Sequence, residues 1–170
     1  MWKVFSALCR FRKGDYMTMK RIASFCVDHT KLLPGIYVSR VDGDITTYDI
    51  RMVKPNTPPY LANGELHTIE HLFATFARNS EYSDRVIYFG PMGCRTGFYF
   101  LLRDVPRAEA VQLIRHIFHQ IADYEGEVPG TAPSECGNYR DHDLAGAKRC
   151  AQAFLPVIQD WNEAKLAYRN

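Results

Sequence analysis

The stretch RVIYFGPMGCRTGFYFLLRDVP, residues 85–106, decides the fold class of this 170-residue chain. Arg85–Phe89 and Gly97–Arg103 are rich in aromatic and β-branched residues, which suit a pleated, half-buried surface, so both read as strands. Between them lies the tight-turn signal Gly90-Pro91-Met92-Gly93. Pro106 then opens a long amphipathic helix to about Tyr124, with Ala110, Val111, Ile114, Ile117, Phe118 and Ile121 recurring at helical spacing. Two strands in succession followed by a helix is not the alternation of a parallel βαβ sheet.

The flanks extend this pattern. Upstream, Ile36–Arg40 follows the Pro34-Gly35 turn signal, and Ile45–Val53 follows Asp42-Gly43-Asp44. On the second of these strands Asp49 and Arg51 share a face, because side chains alternate with period two. Residues 54–63 hold Pro55, Pro58 and Pro59 and form a loop, and Gly64 to Asn79 is helical. Downstream, 125–138 is a Gly/Pro-containing loop carrying Cys136, and a last helix starts near Asp143 and is kinked or broken at Pro156. The expected fold is α+β: a two-layer sandwich, mainly antiparallel sheet with helices packed on one face. Residues 1–18 read as a basic, non-essential appendage, with a start near Met17 or Met19, and 19–170 as a single catalytic domain.

Hydrophobic residues make up 46% and charged residues 24%, which argues against disorder and collagen-like structure. The longest apolar run, Phe98 to Leu102, is far too short to span a bilayer. Net charge is +2, but six of the 21 basic residues and only one acid lie in residues 1–21. The remaining 15 bases face 18 acids, so the body is mildly acidic and gives no electrostatic footprint for nucleic acid. The five cysteines (Cys9, Cys26, Cys94, Cys136 and Cys150) are odd in number, widely spaced and without a CxxC. Without a signal peptide this suggests a reducing, cytoplasmic setting, where a cysteine is free to serve as ligand or thiolate.

The site-bearing motif is His67-Thr68-Ile69-Glu70-His71. On a helix, with His67 at zero, His71 falls near about 40° and Glu70 near about 300°, while Ile69, Leu72, Phe73 and Phe76 cluster at roughly 140–240°. The helix can sit on a sheet through its apolar stripe and still turn two imidazoles and a carboxylate toward a cavity. Histidines at i and i+4 suit chelation of one divalent ion, and Glu70 can reach a bound water or substrate without being a ligand. Two chance histidines on a wet helical face give the same pattern. Cys136 is the expected third ligand, placed before a helix whose N-terminal dipole stabilises thiolate. From spacing alone an inert loop thiol explains it equally well, and His142 is the rival ligand. A His/His/Cys set leaves a fourth position open, as catalytic sites do. Cys94, after the Gly93 turn and before Arg95, is the second chemical candidate. Positive charge there, with Arg51 adding to it, lowers a thiol pKa, although a small buried hydrophobe is the commoner fate of a free cysteine. An HxxEH also occurs in inverzincin metalloproteases, which are much larger and take a downstream glutamate as third ligand. A structural zinc module is the remaining alternative, but such a site has no need of Glu70.

Six blocks occur in order: ASFCVDH from Ala23, YDIR from Tyr48, HTIEH, GPMGCRTGFY from Gly90, ECG at 135–137, and HDL-x-GAKR from His142. Together they resemble the LuxS family of S-ribosylhomocysteine lyases, from about residue 19 to the C-terminal region. The resemblance implies cleavage of S-ribosylhomocysteine to homocysteine and dihydroxypentanedione, the precursor of a furanone-type quorum-sensing autoinducer, as a step of the activated-methyl cycle. It implies one Fe²⁺ per subunit, replaceable by Zn²⁺ or Co²⁺, and a homodimer with active sites at the subunit interface. By the same resemblance His67, His71 and Cys136 hold the metal, Glu70 and Cys94 are the acid/base pair, and Ser24, His29 and Arg51 support the thiolate and bind substrate, some from the partner chain. Residues 1–18 depart from the family pattern.

Such chemistry suits the residues. Cleaving a carbon–sulfur bond at a sugar requires the carbonyl to migrate until it lies β to the thioether. A Lewis acid stabilises the enediolate, and two bases on opposite sides shuttle protons.

Overall fold

The structure is a computed structural model and describes residue 22 and residues 25–168. The appendage 1–18, the possible start residues and Ser24 lie outside the described residues. Four strands form one antiparallel sheet: β1 (Gly35–Asp42), β2 (Ile45–Arg51), β3 (Val86–Pro91) and β4 (Gly97–Arg103), in the order β1-β2-β4-β3. Three helices follow the expected plan: α1 (Asn63–Arg78), α2 (Arg107–Ala122) and α3 (Leu144–Ile158). The α+β expectation therefore holds.

The hairpin quoted first forms the sheet's second half. Phe89 opposes Phe100 and Pro91 opposes Phe98, while β4 also pairs with β2, placing Tyr48 opposite Phe100 and Ile50 opposite Phe98. Period two sends Ile36, Tyr48, Ile50, Phe98, Phe100 and Leu102 to one face, where all are buried. There they meet the helices: Phe73 of α1 stacks on Phe89 at 3.8 Å between ring centroids, and Phe118 of α2 meets both Phe73 and Phe154 of α3 edge-on. Buried aromatic pairs of this geometry add to the area they remove from water. A side chain at position 97 would collide with the Ile50 carbonyl, so glycine is what lets β4 approach the end of β2.

Several boundaries differ from expectation: β2 stops at Arg51 rather than Val53, and β3 runs on through Gly90 and Pro91, which pair with Tyr99 and Phe98, so the turn falls after Met92. β1 is longer than the alternation suggested, carried through a bulge between Val38 and Arg40. The last helix is not broken at Pro156 but runs on to Ile158. Pro156 falls in the final turn, where the missing N–H removes a single bond to a carbonyl near the helix end, and buried Phe154 and Ile158 hold the turn against the core. The start is as expected: the Asp143 carboxylate accepts the Gly146 N–H at 2.8 Å.

Beyond α3 the chain returns to the β1 edge. Trp161 donates its indole N–H to the Ile36 carbonyl at 2.7 Å, and the Val38 N–H donates to the Leu166 carbonyl at 2.8 Å. On the sheet face opposite the helices Tyr168 stacks on Tyr37 and donates its hydroxyl to Asp49. The rest of that face carries Thr47, Tyr88, Tyr99 and Leu101. Tyr88 is 51% exposed.

Candidate metal centre

Helix α1 carries the HTIEH motif with its two faces divided as its periodicity requires. Leu66, Ile69, Leu72, Phe73 and Ala77 are buried, while His67, Glu70 and His71 are half-buried and line one cleft of about 510 Å³. Glu65 fixes the start of the helix by accepting the Ala62 N–H at 2.7 Å.

The histidines are oriented from behind. His67 donates Nδ1–H to the Asp141 carbonyl at 2.9 Å, and His71 donates Nδ1–H to the Pro129 carbonyl at 2.7 Å. A carbonyl can only accept, so both imidazoles carry their proton on Nδ1 and present the Nε2 lone pair to the cleft, as metal ligands do. Gly130 makes room for this: its φ is +74°, and a Cβ there would lie 3.1 Å from His71 Nδ1.

Cys136 joins them. Its Sγ lies 3.3 Å from His67 Nε2 and accepts the Asn138 N–H at 3.4 Å. Ligands bound tetrahedrally to one ion at about 2.3 Å for sulfur and about 2.0–2.1 Å for nitrogen stand about 3.5 Å apart, so the spacing fits a shared ion. The thiolate is not supported by a helix end as expected. The N-terminus of α3 is filled by Asp143, and the donor to sulfur is instead a backbone N–H in the 132–141 turns. His142 comes to the same place rather than competing for it. The donor atoms of His67, His71, Cys136 and His142 all lie within 4.8 Å of one another. Among the described residues no carboxylate belongs to this cluster, which removes the glutamate ligand that a peptidase of the inverzincin kind takes.

Cys94 forms a second constellation, on the turn between β3 and β4. That turn is tight, with the Arg95 N–H on the Met92 carbonyl and Arg95 itself at φ +58°. Partial burial pushes the thiol pKa up, but hydrogen bonds from the Thr96 side chain and backbone and the charge of Arg51 outweigh it, leaving Cys94 below the ordinary thiol value. Sγ is 3.0 Å from the Thr96 hydroxyl and 3.7 Å from an Arg51 nitrogen. Arg51 is held from the other side by Asp49, at 2.7 Å in a buried ion pair, with Tyr168 donating to the same carboxylate oxygen. Arg95, the neighbour that suggested an electropositive setting, is not among the groups that shift Cys94.

Cys94 and Arg51 do not line the cleft that holds Glu70 and the histidines. His29 sits apart as well, with Nδ1 on the Val27 carbonyl at 2.9 Å. Cys150 is a packing residue: burial, then the Glu65 carboxylate, raise its thiol to about 12. Four contributors escaped the sequence reading. Thr68 stands inside HTIEH and looked like filler, and Thr96 was overshadowed by Cys94. The Pro129-Gly130 pair showed only as a loop signal, and the Asp141 carbonyl leaves no trace in residue type.

A family-wide sequence profile described as S-Ribosylhomocysteinase (LuxS) matches residues 22–165. Curated relatives named S-ribosylhomocysteine lyase include one from Phocaeicola vulgatus, 54% identical over 157 residues, covering 88% of this chain and 98% of the relative. Another, from Clostridium acetobutylicum, is 49% identical over 156 residues, covering 88% and 99%. A third, from Borreliella burgdorferi, is 44% identical over 156 residues with the same coverage. With a family match across most of its length and relatives this similar at nearly full length, the chain belongs to the S-ribosylhomocysteinase (LuxS) family.

Proposed function

We propose that this chain is a metal-dependent S-ribosylhomocysteine lyase that cleaves the carbon–sulfur bond of S-ribosylhomocysteine to give homocysteine and dihydroxypentanedione. The observation that carries this reading is the convergence of two Nε2 lone pairs and one sulfur beside Glu70, in one cleft of a chain of this family. His67, His71 and Cys136 would hold the ion, which when bound supplies Lewis acidity to a substrate carbonyl. Glu70, one helical turn from His67, moves protons between substrate carbon and oxygen on its side of the sugar. Cys94, as thiolate, removes a proton next to a carbonyl from the other side and returns it one carbon along. After the carbonyl has reached the position β to sulfur, loss of the proton between them forms the carbon–carbon double bond and expels homocysteine as thiolate. That thiolate then takes up a proton.

The ion proposed is one Fe²⁺ per subunit, with Zn²⁺ or Co²⁺ able to replace it, because a mixed imidazole and thiolate set accepts all three. A homodimer is proposed as well. Cys94 and Arg51 are not among the residues lining the cleft of their own chain, and the sheet face near them bears Tyr88, Tyr99, Leu101 and Ile22, with no helix over it among the described residues. A second copy would cover that face and bring the thiolate, with His29, to the partner's cleft; Ser24 is proposed to bind substrate there on the family resemblance alone. A cytoplasmic location, a product serving as autoinducer precursor and a dispensable 1–18 segment belong to the same proposal.

The test is to supply purified protein with S-ribosylhomocysteine and follow free thiol. Release that depends on Glu70 and Cys94 is expected. Peptide hydrolysis without thiol release would overturn the proposal.

A further inference from the structure

We infer that His142 is not a fourth metal ligand but a fixed hydrogen-bond donor, which offers an Nε2–H to the substrate oxygen drawn into the space between His67, His71 and Cys136. The inference rests on the lyase reading and adds a residue to it. The first observation is the contrast among three imidazoles that lie close together. His142 stacks on His67 with centroids 4.0 Å apart and meets His71 at 4.8 Å. His67 and His71 give their Nδ1–H to carbonyls and so present lone pairs. Among the described residues His142 has no carbonyl behind it. Its Nδ1 lies 3.3 Å from the Thr68 hydroxyl.

That hydroxyl already accepts the Asp143 N–H at 2.9 Å. Its own proton has one acceptor among the described residues, His142 Nδ1, whereas Thr75, a turn further on, spends its hydroxyl proton on the His71 carbonyl. An Nδ1 that accepts leaves the ring proton on Nε2. The second observation is that His142 Nε2 is fully buried and without a hydrogen-bond partner among the described residues. A buried N–H beside the cluster, left unmatched, costs free energy unless a ligand atom takes it. An oxygen that gains negative charge as the carbonyl migrates is such an atom, and a donor preorganised for it strengthens as the charge develops.

The experiment uses full-length protein loaded with one equivalent of Co²⁺, comparing His142→Leu, His142→Gln and Thr68→Val with the parent. All are expected to hold Co²⁺ against a competing chelator within about tenfold of the parent, the lower edge for outer contacts, with unchanged visible absorption bands before substrate is added. The kcat for thiol release should fall about 100-fold in His142→Leu and Thr68→Val, with KM little changed, and His142→Gln, which keeps an N–H, should recover most of it. Loss of Co²⁺ or altered bands in substrate-free His142→Leu would make His142 a ligand and overturn the inference. Unchanged kcat in His142→Leu would overturn it too. Should His142→Leu fail to fold, the near-isosteric Thr68→Val against His142→Gln decides by the same readouts. Absence of thiol release by the parent would sink the lyase reading itself, a result separate from the variants' metal retention.

Discussion

At the residue scale the proposed site divides its work between groups that hold and groups that react. His67→Ala or Cys136→Ala removes a donor and should cost both bound metal and thiol release, measured by elemental analysis alongside the assay. Glu70→Ala and Cys94→Ala should keep the metal and lose about 100-fold or more in kcat, the usual range for a proton-transfer group. The pH dependence has a definite sign. In the proposed mechanism Cys94 acts as thiolate, and its pKa is held down by Thr96 and Arg51 against the opposing effect of burial. Removing that support in Thr96→Val raises the folded pKa, so the acidic limb of kcat/KM against pH should move upward. A limb that stays put would take Thr96 out of the thiolate's environment.

At the scale of elements, the helix and its two supporting loops are what aim the imidazoles. Gly130→Ala forces a side chain into a left-handed φ of +74° and within 3.1 Å of His71 Nδ1. It should cost about 1–2 kcal/mol in thermal or denaturant unfolding and weaken metal retention, because the carbonyl behind His71 is displaced. Phe73→Ala, on the opposite face of α1, should cost about 3–5 kcal/mol without changing the ligand set. Much of this was legible in advance. Period two in 85–103 and 45–51 and period 3.6 in 64–79 and 107–121 announced the layers, and HTIEH announced its own wet face. What stayed hidden was whatever depends on backbone carbonyls brought from far along the chain. Pro129 and Asp141 act through C=O groups that every residue possesses, so type and spacing could not single them out. Pro156 misled for a related reason, since a proline in a final turn removes only one bond while tertiary packing holds the rest.

At the scale of the whole molecule, the sheet separates two chemical halves. Helix α1 carries His67, His71 and Glu70, the loop before α3 adds Cys136, and the β3–β4 turn carries Cys94, which is not among the residues lining their cleft. In the proposed dimer a second copy joins them across the sheet face that no helix covers among the described residues, so Tyr99→Arg should give a monomer by sedimentation that binds metal normally and releases no thiol. Dimeric, active Tyr99→Arg would mean that the two halves meet in another way.

The account stands most directly on X-ray absorption by the protein loaded with one equivalent of Zn²⁺. It predicts a single sulfur at about 2.3 Å and two imidazole nitrogens at about 2.0–2.1 Å, with the sulfur signal gone in Cys136→Ser. A first shell of nitrogen and oxygen alone in the unaltered protein would contradict it.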